Sequence, residues 1–291
     1  MILCLLLALW GNASYASHSV GANITYTCLG PNLYQVKLTF YRDCGGVLPS
    51  NPMTVYWAGC GNSGSISLPQ VGAALDVTPV CPSQATSCSG GGAYGIQQYT
   101  FQANLTLPAG CNNVSLSWSE CCRNAAITTL TDPDYENIYV TSMINNTVTP
   151  CNSSPQFTNI PTPIICINQP YIFNHGAVDP DGDVLVYSLV NCLEGSGNNV
   201  NYGGGYSGVT PLTTSGGMTI NSSSGAISFT PSIIQVGVIC VRVEEFRGGV
   251  KVGEVIRDLQ FRVINCSNVS PTATGVNATN NNTASVCQGG N

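Results

Sequence analysis

Charge is what this sequence has least of. Only 8% of its 291 residues are Asp, Glu, Lys or Arg, and the 8 cationic ones include just two lysines, Lys37 and Lys251. A nucleic-acid binder needs a basic face to displace counterions from phosphates. At a net charge of −6 this chain lacks one, which argues against nucleic acid as a partner. Histidine is scarce too, with only His18 and His175. No Cys-x-x-Cys occurs either, so the close-spaced pairs from which zinc sites are built are missing. No apolar run approaches the roughly 18 residues of a membrane span, and no transmembrane segment is expected. There is no Gly-x-Ser-x-Gly elbow and no nucleophile paired with His175, so a satisfied structural histidine is a simpler account than a hydrolase triad. Low charge density also excludes a disordered acidic chain, except in the C-terminal tail.

Against these absences stand 15 cysteines. With no metal pattern to employ them, oxidised pairing outside the cytosol is the better account. The N-terminus agrees. Ile2 to Trp10 is an apolar stretch too short for a bilayer, and Ser14-Tyr15-Ala16 fits a signal-peptidase site after Ala16, although the n-region has no Lys or Arg. Removing residues 1–16 takes Cys4 away and leaves an even fourteen: eight before residue 150, five in 150–266, and Cys287. Because five is odd, Cys287 is expected to close on Cys266 or another of that group, or to pair beyond residue 291. Cys121 and Cys122 would form a strained small ring if bonded to each other, so each is expected to reach a different element.

Strand patterning runs through the chain. Apolar residues alternate in Ala22-Asn-Ile24-Thr-Tyr26, again over Val36, Leu38 and Phe40, and again in Thr54 to Trp57, Tyr99 to Leu107, Val114 to Trp118 and Ile138 to Val140. Gly-, Pro-, Asn- and Ser-rich turns separate them, and no window carries a 3.6-residue stripe. Residues 17–149 therefore read as a cysteine-rich β-sandwich. Thr149-Pro150-Cys151-Asn152-Ser153-Ser154-Pro155 favours an extended crossing to a second domain. Further strands follow at Ile164 to Ile167, Tyr171 to Phe173, Val184 to Val190, Met218 to Ile220, Ala226 to Phe229, Val236 to Phe246 and Val250 to Ile264. The last two flank a tight turn at Arg247-Gly248-Gly249. Residues 195–217 are expected to form a long exposed loop, and 267–291 an Asn/Thr/Ser-rich linker toward an absent domain. The fold class is thus all-β, with two tandem disulfide-stapled sandwiches.

Within 150–266, Asp179-Pro-Asp181-Gly-Asp183-Val-Leu185-Val-Tyr187-Ser-Leu189, then Met218-Thr-Ile220 with Gly225-Ala-Ile227, then Val241-Arg-Val243-Glu244-Glu245 resemble, in order and spacing, cadherin-like and immunoglobulin-like modules of bacterial surface proteins. The first half, with Ile24-Thr-Tyr-Thr-Cys28 and Leu38-Thr-Phe-Tyr-Arg-Asp-Cys44-Gly-Gly46, resembles the N-terminal region of large secreted proteins of gliding-type Bacteroidota. These are commonly cargo of the type IX secretion route, although no sorting domain is present in this sequence.

Asp179, Asp181 and Asp183 alternate around Pro180 and Gly182, so one turning loop can aim three carboxylates at a point. Calcium takes about 6 to 8 oxygens of this kind. Three acids so close repel one another without a cation, yet Asp-Pro and Asp-Gly also form turns unaided. The resemblance adds Glu244 and Glu245 as further calcium ligands. A second cluster, Asp132-Pro-Asp134-Tyr-Glu136, reads as a solvated loop. Glu120 beside Trp118 is the one tempting glycosidase carboxylate, and an edge-strand position explains it more simply. Thirteen tyrosines could line a sugar-binding face, but Tyr is also a favoured strand residue. Asn-x-Ser/Thr triplets such as Asn23, Asn104, Asn145 and Asn152 arise by chance in an Asn-rich bacterial chain. The expectation is a non-enzymatic, exported adhesion or spacer segment, calcium-stiffened, whose partner is an extracellular glycan, a surface or another cell-surface protein. The alternative is a carbohydrate-binding accessory module of a secreted depolymerase.

Overall fold

The computed structural model describes residues 19–80, 84–161 and 164–266. The expected signal peptide, Cys4, His18, Cys81, the expected linker and Cys287 lie outside them. In chain order the first half supplies β1 (Ser19–Gly30), β2 (Leu33–Asp43), β3 (Met53–Gly59), β4 (Asn62–Leu68), β5 (Leu75–Asp76), β6 (Ile96–Thr106), β7 (Val114–Glu120) and β8 (Ile138–Ile144). The second supplies β9 (Gln156–Phe157), β10 (Ile164–Cys166), β11 (Tyr171–Asn174), β12 (Ala177–Val178), β13 (Val184–Val190), β14 (Leu193–Gly195), β15 (Asn198–Asn199), β16 (Thr219–Ile220), β17 (Ala226–Phe229), β18 (Gln235–Arg247) and β19 (Val250–Ile264). Among the described residues there is no α-helix, and no helix long and apolar enough to cross a membrane. The all-β expectation holds.

Period-two alternation decides what each strand buries. Ala22, Ile24 and Tyr26 on β1 and Val36, Leu38 and Phe40 on β2 point inward from the layer β1–β2–β6–β5. They meet Val55, Leu116, Trp118 and Val140 from the layer β4–β3–β7–β8, with Phe40 edge-on to Trp118 at 5.5 Å. A second core lies between the three-stranded sheet β11–β17–β16 and the strands β13, β18 and β19, where Ile227, Phe229, Tyr187, Val241, Val243 and Phe261 pack together.

β19 connects the two. One edge pairs with β18 along nearly its whole length. The opposite edge meets three partners in turn: β8 at Gly253 to Val255, β1 at Arg257 to Leu259, and β10 in parallel at Arg262 to Ile264. The two halves therefore share one hydrogen-bonded sheet. The crossing expected near residue 150 is correspondingly packed rather than extended through solvent. Asn152, Ser153 and Ser154 are buried, and Ser154 exchanges hydrogen bonds with the Tyr26 backbone.

The cysteines explain themselves once Cys151 is placed. It bonds back to Cys28, closing a separation of 123 residues, and this leaves Cys166–Cys266 and Cys192–Cys240 as the even remainder of the second half. In chain-entropy terms so long a closure stabilises by on the order of 5 kcal/mol. Cys44–Cys88 and Cys60–Cys111 staple the first half. Cys121 and Cys122 depart from expectation. The peptide between them is cis, their Cα atoms are 3.0 Å apart, and they bond to each other instead of bracing two elements. Six disulfides among the described residues place the chain in an oxidising compartment.

Two further expectations change. Residues 195–217 are not a wholly exposed loop, because Val200 and Leu212 each enter a core. β7 is an interior strand between β3 and β8, so Glu120 ends a central strand rather than an edge.

Candidate functional site

The acidic loop joins β12 to β13 and folds around its own first carboxylate. Asp179 Oδ1 accepts from the backbone N–H of Asp181 (2.8 Å) and of Asp183 (3.0 Å), and Gly182, at φ 81°, supplies the left-handed step. The antiparallel register then matters. Val184 pairs with Phe246, which sets Asp183 beside Arg247 at the end of β18. Arg247 Nε donates to Asp183 Oδ1 at 2.7 Å and Nη2 to Oδ2 at 2.6 Å, a two-pronged ion pair. Asp181 Oδ2 lies 3.6 Å from the same guanidinium and accepts from the Ser153 N–H at 2.6 Å. The cation that three neighbouring acids require is thus largely the protein's own.

Glu245 completes the cluster from β18. It is fully buried opposite Gly253, and a Cβ at that position would collide with its carboxyl. Asn152 Nδ2 donates to Oε1 (3.4 Å), and the Tyr26 hydroxyl lies 3.3 Å from Oε2. Asn152 Oδ1 meanwhile accepts from Arg247 Nη2 (2.9 Å), so the crossing segment bridges the acid and its counter-ion. Asp179, Asp183 and Glu245 each bring one oxygen within 4.8 Å of the others. Burial, followed by the neighbouring Asp179, pushes the Glu245 carboxyl up to about 10. It is therefore protonated at neutral pH and can donate to Asp179, whose Oδ2 is buried without another partner.

Of the five residues expected to bind calcium, three converge and two do not. Asp181 is turned toward Ser153 and Arg247. Glu244, one residue from Glu245 on an alternating strand, faces the other way and holds Lys251 (2.7 Å) with Glu254. Three carboxyl groups suit calcium in kind, but they fall short of its usual oxygen count, Arg247 occupies both oxygens of Asp183, and an ion would have to displace the Glu245 proton that faces Asp179. Arg247, Asn152 and Tyr26 complete the site and were not anticipated. Arg247 alone had a signal, since it lies two residues beyond Glu245 at a hairpin end.

The other residues singled out lie elsewhere. His175 is fully buried between Phe157 and Phe173, with Nδ1 3.4 Å from Arg257 Nη1. Arginine only donates, so Nδ1 accepts and Nε2 carries the proton, without a partner. Burial and the Arg257 charge push the imidazole down to about 3. The second acidic cluster splits: Asp132 and Asp134 are exposed, whereas Glu136 is buried and accepts from the Asn201 N–H at 2.7 Å. Asn23, Asn145 and Asn152 are buried, which closes those triplets to glycosylation in the folded chain. No protein-family model matches the chain, and no curated protein matches it.

Proposed function

We propose that the chain is a non-enzymatic extracellular segment of a bacterial surface or secreted protein, of the kind gliding Bacteroidota export, acting as an adhesive or spacer module that calcium stiffens. The supporting observation is where Asp179, Asp183 and Glu245 meet: under Asn152, on the segment that crosses between the halves, and against the β18–β19 hairpin they share. An ion there would tie the acidic loop and the hairpin into one unit beneath the crossing. Calcium titration read by thermal unfolding tests this. At roughly hundredfold excess over Kd the midpoint should rise by ~5 °C or more in the wild type and stay put in Asp179→Asn. No rise in the wild type, or the same rise in the variant, removes calcium from the reading.

One observation favours a second reading, the carbohydrate-binding accessory module. On the outer face of β4–β3–β7–β8 lies a shallow cleft of about 550 Å³ to which Tyr56, Tyr139 and several serines turn, with no charged residue in its lining. Flat rings and hydroxyls suit neutral sugar faces. Binding on a neutral polysaccharide array, lost in both Tyr56→Ala and Tyr139→Ala, would favour this reading; an array without binding would retire it.

A further inference from the structure

Arg257 is 1% exposed, yet among the described residues no carboxylate pairs with it. Its contacts are the His175 ring nitrogen, the Tyr41 hydroxyl (3.3 Å), the Asn159 carbonyl (3.2 Å) and the Phe157 face (4.5 Å), and its Nε has no partner. His175 is neutral and so contributes no counter-charge. A buried charge is costly unless paired.

Beside it, across the outer face of β1, β2 and β6, lies a cleft of about 210 Å³ whose walls include Asn23, Thr25, Lys37 and Tyr41, and no acid. Lys37, half-buried, has among the described residues only the neutral Gln156 Oε1 as hydrogen-bond partner, at 2.9 Å. Thr25 is 1% exposed and its hydroxyl is unpartnered. Because the Tyr41 oxygen accepts from Arg257, its own O–H is left to donate. Burial also holds the Lys37 ammonium below its usual range, the direction expected of a cation without a counter-ion. Ammonium, two hydroxyl donors and a buried guanidinium behind them form a donor set for an oxyanion, and the volume suits one such group with its immediate carrier.

We propose that this cleft binds a single oxyanion group, a carboxylate or sulfate, with Lys37, Thr25 and Tyr41 donating directly and Arg257 supplying the field behind Tyr41. The site is separate from the acidic node, goes beyond the adhesive reading and does not depend on it.

Calorimetric titration of the full chain, at constant ionic strength in chloride buffer, tests it with inorganic sulfate, D-glucuronate and D-glucose. Saturable binding of sulfate or glucuronate is expected, with none of glucose. Affinity should fall at least tenfold in Lys37→Gln and in Thr25→Val, two substitutions on different strands that keep side-chain volume. Binding of glucuronate as well as sulfate marks an acidic saccharide as the source; sulfate alone marks a free or esterified sulfate. No binding of either anion, equal binding of glucose, or unchanged affinity in both folded variants would overturn the proposal.

Discussion

The β18–β19 hairpin carries two buried charge clusters of opposite sign, and they are neutralised differently. At Glu245 the acids find protein cations and protons: Arg247 grips Asp183, and Glu245 keeps its proton. At Arg257 the positive charge has two rings, one hydroxyl and one carbonyl around it but, among the described residues, no acid. A third case calibrates both. Arg123 is buried with Asp258 at 2.6 Å and also donates to two backbone carbonyls, a closed pair that asks nothing of solvent or ligand. In a chain with 8 cationic residues, a guanidinium as deeply buried as Arg257 with no acid beside it among the described residues is the contrast on which the proposed anion site rests.

Substitution at the two arginines should break the comparison most sharply. Arg123→Met strands the Asp258 carboxylate and should cost about 3–5 kcal/mol in urea unfolding. Arg257→Met strands no acid and, in chloride buffer, should cost under about 1 kcal/mol or stabilise. Equal losses at both sites would mean that Arg257 is already compensated. Gly253→Ala comes next. Its methyl group would expel the Glu245 carboxyl, for a loss of roughly 2–3 kcal/mol and of any calcium-dependent rise in midpoint. A silent Gly253→Ala would show that the acidic node is not packed as described. Last is the pH dependence set by His175. Its imidazole stays neutral in the fold down to about 3, whereas the unfolded chain takes up a proton near 6.5. The contribution is therefore complete above pH 6.5 and is lost as pH falls toward 3. Relative to pH 7.5, stability at pH 5 should drop by about 2 kcal/mol, a slope absent from His175→Gln.

What was legible in the sequence follows from local periodicity. Val184–Val190, Ala226–Phe229 and Val250–Ile264 have the ends that alternation and turn residues mark, and Gly248-Gly249 makes the two-residue turn with both φ positive. β4 escaped notice because only Ile66 and Leu68 stand among its serines. Pairing across distance was not legible. Nothing local ties Cys151 to Cys28, or Arg247 to Asp183 sixty-four residues away. The acidic loop was found by composition, while the residues that complete it depend on strand register. The basic cluster gave no signal at all, because Lys37, His175 and Arg257 come from three distant segments that only the fold assembles.

The three successive partners of β19 have a consequence in time. β1 and β8 border the first core, and neither has another first-half strand along the edge that β19 fills. Until residues 250–264 arrive, the first sandwich presents two open strand edges, the feature most prone to pairing with other chains. Synthesis order thus puts the closing strand late, and both edges wait on β19, almost the last of the described residues to be made, before they are covered.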